Sequence, residues 1–369
     1  MVWNDFSLWS PGWCQGDSDI CGINEAQRLE FLAHYFNRGE EWGKEVLTTY
    51  KHFDSGFNDS SAVADWERGG PAELTRPYWQ TDDAISASSW SYTVGISYYS
   101  SKQMIHSLLD RVSKNGNMLL NVSPTAAGVL PAAQVQVLRD IGAYLGRYAE
   151  AVYATRAWDI YGEGPNRAGG GSFTAPLQGN SSDIRFTRSQ DEKVLYATIL
   201  GWPADRLVNI ESLGSDRLVD ISGLTGVQLL GDTAGEYLDV VDSQQNAGGL
   251  AVTLPSTQPA EAYGYVLKLT FSERIPVPQP AQGATVWPAG GQVSAATKGV
   301  TLGLGDFRGI FLSEAGVEGS KVGVIRVSAG SKVSVFASSD LSGDVAVVYT
   351  EGEHAVEEGS VGSVRVEAA

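Results

Sequence analysis

Ser101-Lys-Gln-Met-Ile-His-Ser-Leu-Leu-Asp-Arg-Val-Ser-Lys-Asn-Gly-Asn-Met-Leu-Leu-Asn-Val122 decides the fold class. Its first half places Met104, Ile105, Leu108, Leu109 and Val112 at the spacing of one helix face. Gly116 is expected to end that helix. Met118-Leu-Leu-Asn-Val122 follows as a mainly apolar run, read as a parallel strand buried on both faces. Pro131 then opens a second long helix carrying Val135, Leu138, Ile141 and Leu145. This rhythm predicts a parallel sheet with right-handed crossovers.

Upstream the same alternation holds. Met1–Phe6 reads as a strand. Asn24 with Gln27 forms a capping box for a helix whose Leu29, Leu32, Tyr35 and Phe36 make one stripe, and Gly39 is expected to stop it. Glu45–Lys51 and part of Trp79–Tyr92 read as extended. Asp65-Trp-Glu-Arg-Gly-Gly70 reads as a glycine-rich loop. Residues 1–158 are therefore expected to form a β/α-barrel unit.

Downstream the pattern becomes all-β. Val194–Leu200, Leu207–Ile210, Val227–Leu230, Leu250–Leu254 and Ala262–Phe271 are short, β-rich and separated by turn dipeptides, the pattern of a β-sandwich over 159–272. A Pro-rich linker occupies 273–281. Residues 282–369 contain an internal repeat. Asp306-Phe-Arg-Gly309 and Val322-Gly-Val-Ile-Arg-Val327 are echoed by Asp340-Leu-Ser-Gly343 and Val361-Gly-Ser-Val-Arg-Val366. The fold class is thus α/β plus all-β.

A net charge of −17 argues against nucleic acid and anionic membrane as partners. Residues 1–20 lack the basic-then-apolar pattern of a signal peptide, no apolar run is long enough to span a bilayer, and location is otherwise left open. Cys14 and Cys21 fit a disulfide or two free thiols equally well. The four histidines are scattered, with His34 and His106 read as structural on helices. With no Cys/His ligand spacing, no Walker loop and no GxGxxG after a strand, neither metal nor cofactor is expected; Gly169-Gly-Gly171 is a loop in the β region.

The acids carry the chemistry. Asp5 ends an apolar run at what would be the mouth of a barrel strand; a turn or cap aspartate is the plainer alternative. Glu67 lies beside Trp66, where partial burial would suit a proton donor, although a solvated glutamate fits too. Glycoside cleavage needs two carboxyl groups in different environments. Lys51 offers a charge partner. Trp3, Trp90 and Tyr92, with Trp9 and Trp13 nearby, offer the aromatic platforms a sugar ring stacks on.

Trp3-Asn-Asp5, Asp65-Trp-Glu-Arg-Gly69, Trp79-Gln-Thr-Asp82, Ser89-Trp-Ser-Tyr92, Asn117-Met-Leu-Leu-Asn-Val-Ser-Pro-Thr125 and Ala151-Val-Tyr-Ala-Thr-Arg-Ala-Trp158 resemble consecutive blocks of the α-L-fucosidases, glycoside hydrolase family 29, over about residues 1–272. The resemblance implies an exo-acting retaining glycosidase without cofactor, built as a β/α barrel followed by a β-sandwich. It implies Asp5 as nucleophile at the end of the fourth barrel strand, Glu67 as general acid/base, Trp90 against the apolar face and methyl of fucose, and Lys51 as a basic group near the nucleophile. The C-terminal repeat resembles paired Greek-key units of the βγ-crystallin type. Glu318–Gly323 and Glu357–Ser363 match that family's calcium pattern poorly.

The family's first three strands have no counterpart here, which leaves a partial barrel with an open edge. The expected function is hydrolysis of terminal α-L-fucosides on an oligosaccharide or glycoconjugate by a homo-oligomer that covers this edge. The alternatives are half of a split fucosidase needing a partner chain, or a non-catalytic glycan-binding or assembly protein.

Overall fold

The computed structural model describes residues 1–5, 25–52, 61–260, 263–290 and 297–369. Cys14 and Cys21, whose state the sequence left open, the expected helix cap at Asn24 and the aromatics Trp9 and Trp13 lie outside these residues.

Four parallel strands form the first sheet, in the order β1 (Thr49–Lys51), β2 (Val63–Glu67), β3 (Trp79–Ala84), β4 (Gly116–Asn121). Val2 adds a single parallel bridge to Thr48 beside β1, so the N-terminal residues run along the sheet without becoming a full strand. Asp65-Trp-Glu67 is strand and not the loop expected from its glycines. Parallel partners on both sides hold it extended, and Gly69-Gly70 lie just past its end.

Helix α1 (Glu25–Trp42) runs through Gly39 and ends at Gly43, whose φ of +59° is the left-handed turn a helix C-terminus uses. Leu29 of the expected stripe is exposed, while Leu32, Tyr35 and Phe36 are half-buried. Helix α2 (Ser101–Ser113) starts with a capping box between Ser100 and Gln103, and stops before Gly116 because Asn115 already turns left-handed at φ +71°. Met104, Ile105 and Leu109 are buried as the periodicity predicts. Helix α3 (Ala132–Tyr148) follows Pro131, but its buried positions are Gln134, Val137, Tyr144 and Tyr148. The predicted stripe of Val135, Leu138, Ile141 and Leu145 is half-buried beside them.

β4 departs from the expectation of a strand buried on both faces. Leu119 is 42% exposed, because it lies in register with Asp82 and looks onto the same open polar side of the sheet.

The second unit pairs a six-stranded antiparallel sheet with a three-stranded one. The first has the order β10 (Tyr237–Asp239), β9 (Leu224–Leu230), β13 (Tyr265–Phe271), β7 (Val194–Ile199), β6 (Ile184–Arg188), β5 (Arg156–Glu163); the second has the order β11 (Asp242–Asn246), β12 (Gly249–Thr253), β8 (Leu207–Ile210). Phe186, Leu195 and Leu267 meet Ile210 and Val252 between the sheets. Alternate residues of the large sheet, Tyr196 and Val266, face the other way and pack on Ile105, Leu109, Tyr144 and Tyr148 of α2 and α3. This shared apolar layer docks the sandwich against the helices of the parallel sheet.

Residues 274–280 do not stand free. Ile275 is buried, and the Gln279 side chain bonds Ser328 (2.8 Å) and Thr285 (2.9 Å) in the third unit. That unit has the order β15 (Val300–Leu302), β14 (Ala284–Pro288), β17 (Val322–Phe336), β19 (Ser363–Ala368), β16 (Gly305–Phe307), with β18 (Val345–Ala355) on β17. The two repeat copies fold differently. Asp340–Gly343 makes a turn with Leu341 at φ +66°, whereas Asp306–Gly309 leads from β16 into helix α4 (Gly309–Glu314), because Phe311 and Leu312 have a core to enter.

Candidate active site

Polar residues two apart on adjacent parallel strands share one face of a sheet. The register sets Lys51 beside Asp65, Asp65 beside Gln80, and Glu67 beside Asp82. Tyr50, Ala64, Trp66 and Trp79 alternate with them and look the other way, where Tyr50, Trp66 and Phe311 line a cleft of about 900 Å³ shared with the third unit. The acids are not in that cleft; they face the opposite side of the sheet.

Lys51 is the hub of the acidic face. Its Nζ is 2.7 Å from Asp65 Oδ2, 3.4 Å from Asp5 Oδ1 and 3.4 Å from Asp82 Oδ1. Lys51 and Asp65 are almost fully buried, while Asp5 is 38% exposed. Asp65 also accepts from Trp3 Nε1 and from Gln80 Nε2, both at 3.1 Å. A buried carboxylate is tolerated when each oxygen has such partners. Burial opposes the Lys51 ammonium, but the hydrogen bond and charge of Asp65, backed by Asp82 and Asp5, outweigh it, so Lys51 titrates above the ordinary lysine range. Burial, reinforced by the charge of Asp65 and only partly offset by Lys51, pushes the Asp82 carboxyl up to about 8. One cation thus serves three carboxyl groups, and Asp82 keeps its proton at neutral pH.

Asp5 reaches this cluster because the chain before it is tied to β1. Asn4 donates its backbone N–H to Thr49 Oγ1 (2.9 Å) and its amide to the Thr49 carbonyl (3.0 Å).

Glu67 ends β2, and Trp90 Nε1 donates to its Oε1 at 3.2 Å. Its backbone is held from two sides. The Glu67 and Arg68 carbonyls accept from Phe173 (2.8 Å) and Thr174 (2.9 Å), and the Arg68 N–H donates to the Asp82 carbonyl (2.8 Å). Gly69 permits this clamp: a Cβ there would stand 1.8 Å from the Gly171 carbonyl oxygen. Arg68 takes a left-handed φ of +48°, a conformation that costs a non-glycine residue about 1–2 kcal/mol.

Of the residues expected from the sequence, Asp5, Lys51 and Trp3 meet in one hydrogen-bonded and ion-paired group, and Trp90 meets Glu67. Tyr92 is exposed and makes none of these contacts. Asp65, Gln80, Asp82 and Arg68 were not singled out, although Asp65/Glu67 and Gln80/Asp82 carry a readable signal: polar side chains two apart within a buried parallel strand. Among the described residues, no cluster of three or more His, Cys, Asp or Glu could hold a metal ion.

A partly exposed carboxylate beside a cation, and a second carboxyl with one oxygen held by an indole, can share nucleophilic and proton-transfer work. The "Alpha-L-fucosidase" family model matches residues 1–150, and the "Alpha-L-fucosidase C-terminal domain" model matches residues 178–270. Over these residues the chain belongs to the α-L-fucosidase family. It is 30% identical to human plasma α-L-fucosidase over 255 residues, covering 65% of this chain and 48% of that protein. It is 29% identical to the plasma α-L-fucosidase of Pongo abelii over the same length and shares. The chain spans about half the length of these curated relatives. The α-L-fucosidase isoenzyme 1 of Paenibacillus thiaminolyticus shares the fold, with a TM-score of 0.51 at 21% identity, over 73% of this chain and 57% of that one. The family match ends at residue 270, so the third unit lies outside it.

Proposed function

We propose that the acidic face of the parallel sheet is the active site of a retaining exo-α-L-fucosidase that hydrolyses terminal α-L-fucosides. The observation that carries this reading is Lys51 bridging Asp5 to Asp65 and Asp82, one strand from Glu67 with its indole partner. In this scheme the Asp5 carboxylate attacks the anomeric carbon while Glu67 gives its proton to the leaving oxygen. A fucosyl ester forms on Asp5. Glu67 then takes a proton from water, which opens the ester and restores both carboxyl groups. Lys51 holds the Asp5 carboxylate in an ion pair beside the reacting carbon, and Trp90 offers a face for the sugar's apolar side. We place the four strands as part of a β/α barrel, with the mouth at their C-terminal ends.

Asp5 and Trp3 are 38% and 37% exposed, so the pocket is open on their side. We propose that a second copy of the chain covers that side; static light scattering of the purified protein tests this. The same exposure supports the second reading, a fucose-binding protein without turnover.

The test is hydrolysis of an aryl α-L-fucoside by the purified chain and by Asp5→Ala, with the first product anomer followed by NMR. Turnover giving α-L-fucose first, lowered by about three decades or more in Asp5→Ala, supports the reading. Saturable fucoside binding with no turnover in the wild-type chain would replace it with the second.

A further inference from the structure

Arg68 is a buried guanidinium, 8% exposed, and among the described residues it forms no ion pair with a carboxylate. Its Nη1 donates to the Ser86 carbonyl at 2.7 Å, and its Cζ lies 4.2 Å from the Trp90 ring centroid. A buried cation without an anion is costly, so the π face and the carbonyl are what hold it. The backbone of this position would suit glycine better, given its φ of +48°. The side chain, not the turn, is therefore what the position uses. Trp90 is fixed from its other end: its carbonyl accepts from Asn121 Nδ2 (2.9 Å) and Ser123 Oγ (3.0 Å), and Ser123 Oγ is 2.7 Å from Ser86 Oγ. With its backbone pinned to β4 and its ring pinned by Arg68, the indole has one way to point. That direction is Glu67 Oε1, 3.2 Å from Nε1.

We infer that Arg68 is a positioning residue: it holds the Trp90 ring so that the indole N–H occupies Glu67 Oε1 and leaves Oε2 as the oxygen that exchanges a proton with the leaving group and with water. A cation over the ring also withdraws electron density and strengthens the N–H as a donor. A donor aimed at a carboxylate favours its charged form. Loss of the donor frees Oε1 to compete for the transferred proton, and the pH profile of activity changes with it. This inference rests on the proposed function for its kinetic readout, and not for its spectroscopic one.

The experiment compares Arg68→Gln, Arg68→Lys, Trp90→Phe and the Arg68→Gln/Trp90→Phe double variant in the full chain. For an aryl α-L-fucoside, kcat/KM is followed against pH, with melting temperature measured alongside. We expect the alkaline limb to move in each single variant, because each takes the indole N–H away from Glu67 Oε1. The double variant should shift no further than Trp90→Phe, since the two residues act as one unit. A merely structural arginine would lower the melting temperature and leave the limb in place. Arg68→Lys keeps the charge but loses the planar stack; a wild-type limb there overturns the inference, as does an additive double variant. If Arg68→Gln fails to fold, Arg68→Lys and Trp90→Phe alone decide it. If the wild-type chain shows no turnover, the proposed function fails separately. The indole N–H resonance of Trp90, assigned by its loss in Trp90→Phe, then serves. It should move in Arg68→Lys and in Glu67→Gln; an unmoved resonance in Arg68→Lys overturns the inference.

Discussion

Lys51 Nζ stands 2.7 Å from Asp65 Oδ2, closer than to Asp5 or Asp82, and both partners are almost fully buried. Asp65 is therefore the anchor of the cation, and the exposed Asp5 borrows a charge that is already fixed in place. Breaking one side of a buried pair strands the other charge. Asp65→Asn should cost about 3–5 kcal/mol of stability, read from urea unfolding, and lower kcat/KM with it. A loss below about 1 kcal/mol would mean that Lys51 has another adequate partner.

Asp82 gives the fold a pH dependence of unusual direction. Its carboxyl holds a proton up to about 8 in the folded chain and releases it at the ordinary aspartate value when unfolded. Between those values the folded state binds more protons, so this contribution to stability is full at acid pH and is lost as pH rises through about 8. The urea midpoint of the wild-type chain should fall between pH 6 and pH 8 and level off above that, and Asp82→Asn should flatten that fall. An equal slope in the variant would assign the effect elsewhere.

His106 works in the opposite sense. It accepts from the Gly179 N–H at Nδ1 (3.0 Å) and donates from Nε2 to the Tyr263 carbonyl, so α2 is pinned to the sandwich by a neutral ring. Burial, with Lys102 and Arg185 adding to it, lowers its pKa to about 4 against the opposing pull of the Tyr263 carbonyl and Asp183. The unfolded ring protonates first. Stability from this group is present above the ordinary histidine value and is lost as pH falls from there through about 4. His106→Gln should remove that part of the acid slope in denaturant titrations at pH 4–7.

Gly69→Ala would drive a methyl into the Gly171 carbonyl, 1.8 Å away, and push the 171–174 segment off the Glu67 and Arg68 carbonyls. The expected cost is about 1–3 kcal/mol from overpacking. Because Glu67 shifts with its backbone, kcat for an aryl α-L-fucoside should fall more than the melting temperature alone explains. Wild-type kcat would show that the clamp does not position Glu67.

The parts legible in the sequence were those governed by short periods. The α2 face of Met104, Ile105 and Leu109 follows 3.6-residue spacing, and the strands of the sandwich follow their turn residues. The consecutive motifs around Asp5, Glu67 and Trp90 carry the resemblance to the family whose models match residues 1–150 and 178–270. Where several local signals competed, tertiary context chose. Gly39 does not end α1, because Gly43 supplies the left-handed turn four residues later. Asp65-Trp-Glu67 is strand despite the glycines, because β1 and β3 pair with it on both sides.

The sequence by itself determined the parallel-then-antiparallel order of the elements, since apolar spacing and turn chemistry act within a few residues of where they are written. Only the tertiary structure decided that Lys51 is shared by Asp5, Asp65 and Asp82, and that Arg68 lies under Trp90. Those relations join residues up to 77 positions apart, from Asp5 to Asp82. They depend on strand register and on burial, which set distance and dielectric, and no local pattern encodes either.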